Sequence, residues 1–155
     1  MPSSTPIVRQ MNWISIIIQL IILSILCLVF YIIDKVNFIY YAFLSFVALF
    51  FILRYLIPKD HRRGVSLYKR EKYNEAIPYF QKSYDFFSVH KWIDKYRIVT
   101  MLSSSKISYS EMARINKAFC LSQIGKKQES IEEYKKTLEE FPGSKIAEMS
   151  LKMLQ

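Results

Sequence analysis

Two histidines, two cysteines and two pairs of adjacent glutamates are the groups whose types and spacing could do chemistry here. Paired carboxylates suit acid–base work, histidines suit proton transfer or metal ligation, and thiols suit nucleophilic or redox chemistry. None of the sets is built for it. Glu132-Glu133 and Glu139-Glu140 stand at i, i+1 and i, i+7, which patterns as a solvated helix face, with Lys135 and Lys136 close enough to neutralise it. His61 and His90 lie 29 positions apart with no metal-ligand spacing between them. His90, beside Lys91 and Trp92, reads as a helix-start residue. Cys27 falls inside a long apolar run and Cys120 inside an amphipathic one expected to be cytoplasmic, so no disulfide is expected. The chain has no HExxH, no CxxC, no nucleophile elbow and no Gly-rich phosphate loop, and its 3 glycines leave little to build one from. No catalytic residue, cofactor or metal is expected.

The elements that would position any functional group begin with two apolar runs. Met11–Ile33 carries no charge, and Trp13–Ile33 contains fifteen Ile, Leu, Val or Phe. On an insertion scale these contribute about −5 to −9 kcal/mol, which Gln19 and two serines do not cancel. After Asp34-Lys35-Val36-Asn37 a second uncharged run extends from Phe38 to Leu53, then crosses Arg54 to Ile57. About 20 helical residues cross a hydrocarbon core roughly 30 Å thick. The spacing therefore predicts a transmembrane hairpin with spans at about 13–33 and 36–57, preceded by a loose Ser/Thr/Pro-rich segment at 1–12. A cleaved signal peptide does not fit, because the run is too long and a second span follows at once.

Charge orients this hairpin. The formal net charge is +9, and the basic excess sits just after the second span. Arg54, Lys59, Arg62, Arg63, Lys69, Arg70 and Lys72 follow that span, whereas the connecting turn has Lys35 alone. Short basic flanks stay in the cytoplasm. Both termini are expected there, Arg9 included, with the turn outside. Tyr31, Phe38, Tyr40 and Tyr41 at the turn, and Trp13 and Tyr55 at the other end, suit the two interfaces. Arg62, Arg63, Lys69, Arg70 and Lys72 are candidates to face anionic lipid headgroups. That position accounts for the basic charge, and with no reader motif present nucleic acid is not an expected partner. Ala42, Ser45 and Ala48 share one face of the second span, which makes the hairpin a candidate oligomerisation surface. The 15 lysines against 7 arginines, with abundant Ile, Tyr and Phe, point to an AT-rich genome and a bacterial cell membrane.

Residues 58–155 form one helical domain by the same reading. Gly64, Leu67 and Tyr68 lie on the buried side of a helix starting near Lys59. Tyr73-Asn74 makes a turn with Asn74 as N-cap. Ala76, Ile77, Phe80, Ser83, Tyr84 and Phe87 continue at 3–4 spacing, with Pro78 in the first helical turn. Trp92, Ile93, Tyr96, Val99 and Leu102 mark a further helix at about 90–103, ended by Ser103-Ser104-Ser105. Ser144 is placed to cap a last helix at about 144–154.

Gly64, Leu67, Tyr73, Ala76, Phe80 and Ser83, then Ala118, Leu121, Gly125, Ser130, Tyr134, Thr137 and Pro142, resemble two tetratricopeptide (TPR) repeats. The units cover about 59–88 and 111–143. Leu67 and Leu121 are 54 positions apart, where the family's period is 34, so some 20 residues are inserted between them. The resemblance implies an all-α fold: the hairpin, then an α-solenoid of two repeats with an inserted helix and a C-terminal capping helix. It also implies a groove lined by the first helix of each repeat. By position these are His61, Arg62, Val65, Tyr68 and Lys69, then Ile115, Asn116, Phe119, Ser122 and Gln123. Ile115 and Phe119 could equally pack against the inserted Trp92 helix. The family's clamp for chaperone tails uses Lys and Asn over three repeats, a set this chain lacks. The function so implied is a membrane-anchored adaptor for a protein or peptide at the cytoplasmic face. The alternative is a structural or assembly subunit of a membrane complex, with the hairpin as its working part.

Overall fold

A computed structural model describes residues 13–155, so the expected loose segment at 1–12, with Arg9, lies outside the described residues. The described chain is all-helical, with helices α1 (Ile14–Ile33), α2 (Phe38–Leu56), α3 (Lys59–Tyr68), α4 (Tyr73–Val89), α5 (Lys91–Lys95), α6 (Arg97–Thr100), α7 (Tyr109–Gln123), α8 (Lys127–Glu140) and α9 (Lys145–Leu154). They fall into two compact units. One is the hairpin up to Arg54 together with Arg97–Ile107; the other is Tyr55–Tyr96 together with Ser108–Gln155.

α1 and α2 are long and apolar enough to cross a membrane, with mean hydropathy 3.1 and 1.9 over their best windows. Almost none of either window is covered by the rest of the chain. A core helix of a soluble protein would instead bury one face. Asp34 closes the turn between them. Its carboxylate accepts from the backbone N–H of Val36 (2.8 Å) and Asn37 (3.2 Å) and from Asn37 Nδ2 (3.0 Å). These bonds, the Asn37 side chain first, hold its pKa below the usual carboxylate value. The helices meet at that end through Tyr31–Phe38 (5.3 Å between ring centroids) and Phe30–Tyr41 (6.0 Å). Ala42, near the turn, is buried, whereas Ala48 further along is exposed. The small-residue face therefore does not run as a continuous helix–helix seam.

The expected single helix at 90–103 is instead two short ones, and the chain changes unit between them. α6 packs against α1. Met101, Leu102 and Ser103 are buried, and Leu102 takes a left-handed φ of 47° that turns the chain back. Its carbonyl accepts from Gln19 Nε2 (3.2 Å) and Arg54 Nη1 (3.3 Å). A buried irregular carbonyl beside long apolar helices needs such donors, because apolar side chains offer none. Gln19 of α1 thus bonds to the inserted segment. The Arg97 guanidinium donates to the Ser105 and Lys106 carbonyls and holds the rest of the segment. The helical domain expected at 58–155 therefore lacks one piece, residues 97–107, which belongs with the hairpin.

The second unit is a row of helices in which α4 packs on α3 and α7, α7 on α8, and α8 on α9. Two helix pairs in it repeat each other 54 positions apart. The Lys72 N–H donates to the Leu67 carbonyl at 3.0 Å, and the Lys126 N–H to the Leu121 carbonyl at 3.0 Å. Lys72 and Lys126 share φ −83° and ψ 59°, and the residues before them, Glu71 and Gly125, both have positive φ. The turn is thus at 69–72, earlier than Tyr73-Asn74; α4 starts at Tyr73 and Asn74 is no cap. Pro78 is the sixth residue of α4, where only a solvent-exposed carbonyl goes unbonded. Ser144 stands at the N-cap of α9, but its buried hydroxyl makes no capping bond. α4 lies directly against α7, with no inserted helix between the pairs.

Candidate partner-binding face

The exposed side of α3 and the neighbouring side of α7 bring two of the expected groove residues into contact. Tyr68 and Phe119 come from the two pairs and meet at 5.4 Å between centroids. Tyr73 completes a trio, 5.9 Å from Tyr68 and 6.2 Å from Phe119. Val65, Tyr68 and Tyr73 rest partly on the core formed by Leu67, Ala76, Phe80 and Cys120, so the trio is fixed from beneath. Asn116 and Ser122 are half-buried beside it and Gln123 is exposed. The Ser122 hydroxyl donates to the Phe119 carbonyl at 2.7 Å. Tyr73 was legible in the sequence as a repeat residue but not as part of a surface. Its place follows from the turn that brings the start of α4 beside the end of α3.

Two of the expected residues are not on this face. His61 is 6% exposed, with Nδ1 3.2 Å from the Ser83 hydroxyl and its ring edge-on to Phe80 (5.8 Å) and Tyr109 (5.1 Å). Burial pushes its pKa from 6.5 down to about 4, so it is neutral at pH 7. A small cleft of about 250 Å³ opens beside it, lined by Leu56, Ile57, Phe86 and Phe87 among others. Ile115, the equivalent position in α7, is buried with Ala118, Tyr134 and Ala147. The side chains covering it come from α8 and α9, not from the Trp92 helix. In both helices, one residue carried over as groove-facing turns instead into the second helix of its pair.

Basic residues flank Tyr68 and Tyr73 in the chain. Arg62, Arg63, Lys69, Arg70 and Lys72 are all exposed. Arg62 stacks its guanidinium on Tyr55, 3.5 Å from the ring centroid, and Lys72 pairs with Glu75 at 3.1 Å. Arg63, Lys69 and Arg70 have no acidic partner among the described residues.

The paired glutamates are not one solvated face. Glu133 is buried between two cations, Arg114 Nη1 at 3.4 Å and Lys117 Nζ at 2.9 Å. Glu140 takes the Tyr84 hydroxyl at 2.8 Å and lies 3.2 Å from Arg114 Nε, and Arg114 Nη2 donates to Tyr84 at 2.7 Å. This network ties α4, α7 and α8 together. Its cations come from α7, not from Lys135 and Lys136, which the helix turns away. Sequence spacing along α8 alone holds no signal for partners on a different helix. Glu132 and Glu139 are exposed.

Burial pushes the Cys120 thiol up to about 12, and both cysteines are free. His90 is half-buried, with Nδ1 2.9 Å from the Phe86 carbonyl and its ring stacked on Phe86 at 4.5 Å, closing α4 as much as starting α5. Among the described residues no group of His, Cys, Asp or Glu is arranged to hold a metal ion. Comparison with family models, with curated proteins and with solved structures found no match.

Proposed function

We propose that the chain is a membrane-anchored adaptor: two spans fix it in the bilayer with both termini cytoplasmic, and a pair of TPR-type repeats holds a partner protein or peptide there. The observation that carries this reading is the Tyr68–Phe119 contact across equivalent helices, with exposed Arg63, Lys69 and Arg70 on the same stretch of chain as Tyr68 and without acidic partners among the described residues. An aromatic shelf with such cations close by in the chain suits a segment carrying both carboxylates and an apolar anchor. The repeated turn geometry 54 positions apart supports the TPR reading, and the basic flank after α2 supports the orientation. The bacterial cell membrane remains the expected site, from composition.

A biotin ligase fused after Gln155 tests orientation and face together, because it labels only proteins on its own side of the membrane. The full chain should label a discrete set of cytoplasmic proteins. Reversing Arg63 and Lys69 to Glu should remove part of that set while leaving the chain in the membrane. Absence of cytoplasmic labelling would overturn the orientation, and an unchanged set would overturn the face. The full chain is the right material, since a fragment starting at Lys59 strips residues 97–107 of the span they pack on.

A further inference from the structure

We propose that Val89, Trp92 and Tyr96, with Lys91 and Lys95, form a bilayer-contact site: a short interfacial anchor seated among the headgroups of the membrane that the spans cross. The inference rests on the membrane reading above. Val89 is 76% exposed, Trp92 60% and Tyr96 56%, three large apolar side chains within eight residues. The Tyr96 N–H donates to the Trp92 carbonyl at 3.0 Å, so the two rings lie one helical turn apart on the same side.

They point outward because the opposite side of α5 is pinned. Asp94 is buried and accepts from the Tyr109 N–H (2.7 Å), the Ser110 N–H (2.9 Å) and the Ser110 hydroxyl (2.7 Å). These are the first N–H groups of α7, where a carboxylate meets unpaired donors and the positive end of the helix dipole. With Asp94 committed there, α5 cannot rotate its rings into the unit. The alternative in which Ile115 and Phe119 pack against the Trp92 helix is not the arrangement found: Ile115 packs with residues of α8 and α9, and Phe119 meets Tyr68 and Tyr73.

Three observations single out a bilayer as the occupant. Trp and Tyr are the residue types that favour the membrane–water interface, with a ring for the acyl boundary and a polar tip for the headgroups. The charges beside them are cationic: Lys91 and Lys95 are exposed, Lys95 Nζ lies 5.6 Å from the Tyr96 ring centroid, and the acid of this stretch, Asp94, is buried. That pattern complements anionic phosphates. Finally, Tyr96 is followed at once by Arg97, the first residue of the segment whose Leu102 carbonyl is bonded by Gln19 and Arg54 of the spans. The chain leaves these side chains only a few residues of tether from the helices that cross the bilayer.

The protein's 2 tryptophans make the test direct. Full-length Trp13→Phe, with Trp92 as its only indole, is reconstituted into phosphatidylcholine–phosphatidylglycerol vesicles whose acyl chains are brominated either near the headgroup or near their end. Trp92 should emit at blue-shifted wavelengths, be quenched more by the shallow bromines than by the deep ones, and resist aqueous iodide. Trp92→Phe, with Trp13 alone at the start of α1, reports insertion of the spans. If Trp13 is quenched by bromine while Trp92 is quenched by iodide, the anchor is overturned and the spans stand. Trp92 shielded from both quenchers also overturns it, since protein then covers the site. Loss of bromine quenching at both positions overturns the anchor and the membrane reading together.

Discussion

The two helix pairs of the second unit have one backbone and two sets of side chains, and the differences show which positions the fold constrains. In the first pair Gly64 faces Phe80 so closely that an added Cβ would sit 2.8 Å from the ring. In the second pair Ala118 occupies the equivalent place against Tyr134, and the Ser130 hydroxyl donates to the Ala118 carbonyl at 2.7 Å. Tyr134 is 1% exposed and packs with Ala147 of α9, while burial pushes its pKa up to about 12. The second pair thus packs on a closing helix, whereas the first relies on closer backbone approach. At the turn the preference reverses. Gly125 takes its left-handed φ of 82° without strain, and Glu71 takes φ 58° with a full side chain.

The largest test of this contrast is the Gly64–Phe80 contact. Phe80→Ala should destabilise the chain by about 3–5 kcal/mol, and Gly64→Ala by about 1–3 kcal/mol through overpacking. In the Phe80→Ala background the Gly64→Ala cost should fall towards zero, because the ring it strikes is gone. Thermal unfolding in detergent micelles measures the cycle; simple additivity would mean that the two residues do not share this contact.

His61 and its counterpart Ile115 separate the pairs by pH. The folded-state pKa of His61, about 4, lies below its unfolded value near 6.5, so the unfolded chain binds the proton more tightly. Stability from the neutral ring is complete above pH 6.5 and is lost as pH falls towards 4. Between pH 6.5 and 5 the loss should be about 1–2 kcal/mol. His61→Ile should flatten that window, leaving the carboxylate-driven loss at lower pH. An unchanged slope would mean that another group supplies it.

The turns should give the smallest effects, with opposite signs. Gly125→Ala should cost about 1–2 kcal/mol, because a Cβ is disfavoured at positive φ. Glu71→Gly should gain a few tenths of a kcal/mol, the relieved strain being partly offset by a more flexible unfolded chain. Equal signs at the two sites would break the equivalence of the turns.

The two long apolar helices, the turn between them, the helix pairs and the 54-residue offset were all legible in the sequence. Each is written in local signals: an uncharged run, an Asp-x-x-Asn break, apolar residues at 3–4 spacing, and small residues recurring at matched positions. Local signals failed where a side chain's partner lies on another helix. His61 and Ile115 have the spacing of a surface row, yet helix packing turns them inward. Glu133 has the spacing of a solvated row, yet Arg114 and Lys117 of α7 enclose it. The insertion is the clearest case. Its 3–4 spacing from Trp92 to Leu102 describes one amphipathic helix, but two long-range demands divide it: Asp94 bonds the start of α7, and the Leu102 carbonyl takes donors from Gln19 and Arg54. Periodicity records which residues share a side of a helix; only the tertiary structure decides what that side meets, because burying a charge, a hydroxyl or a carbonyl depends on partners brought from far along the chain.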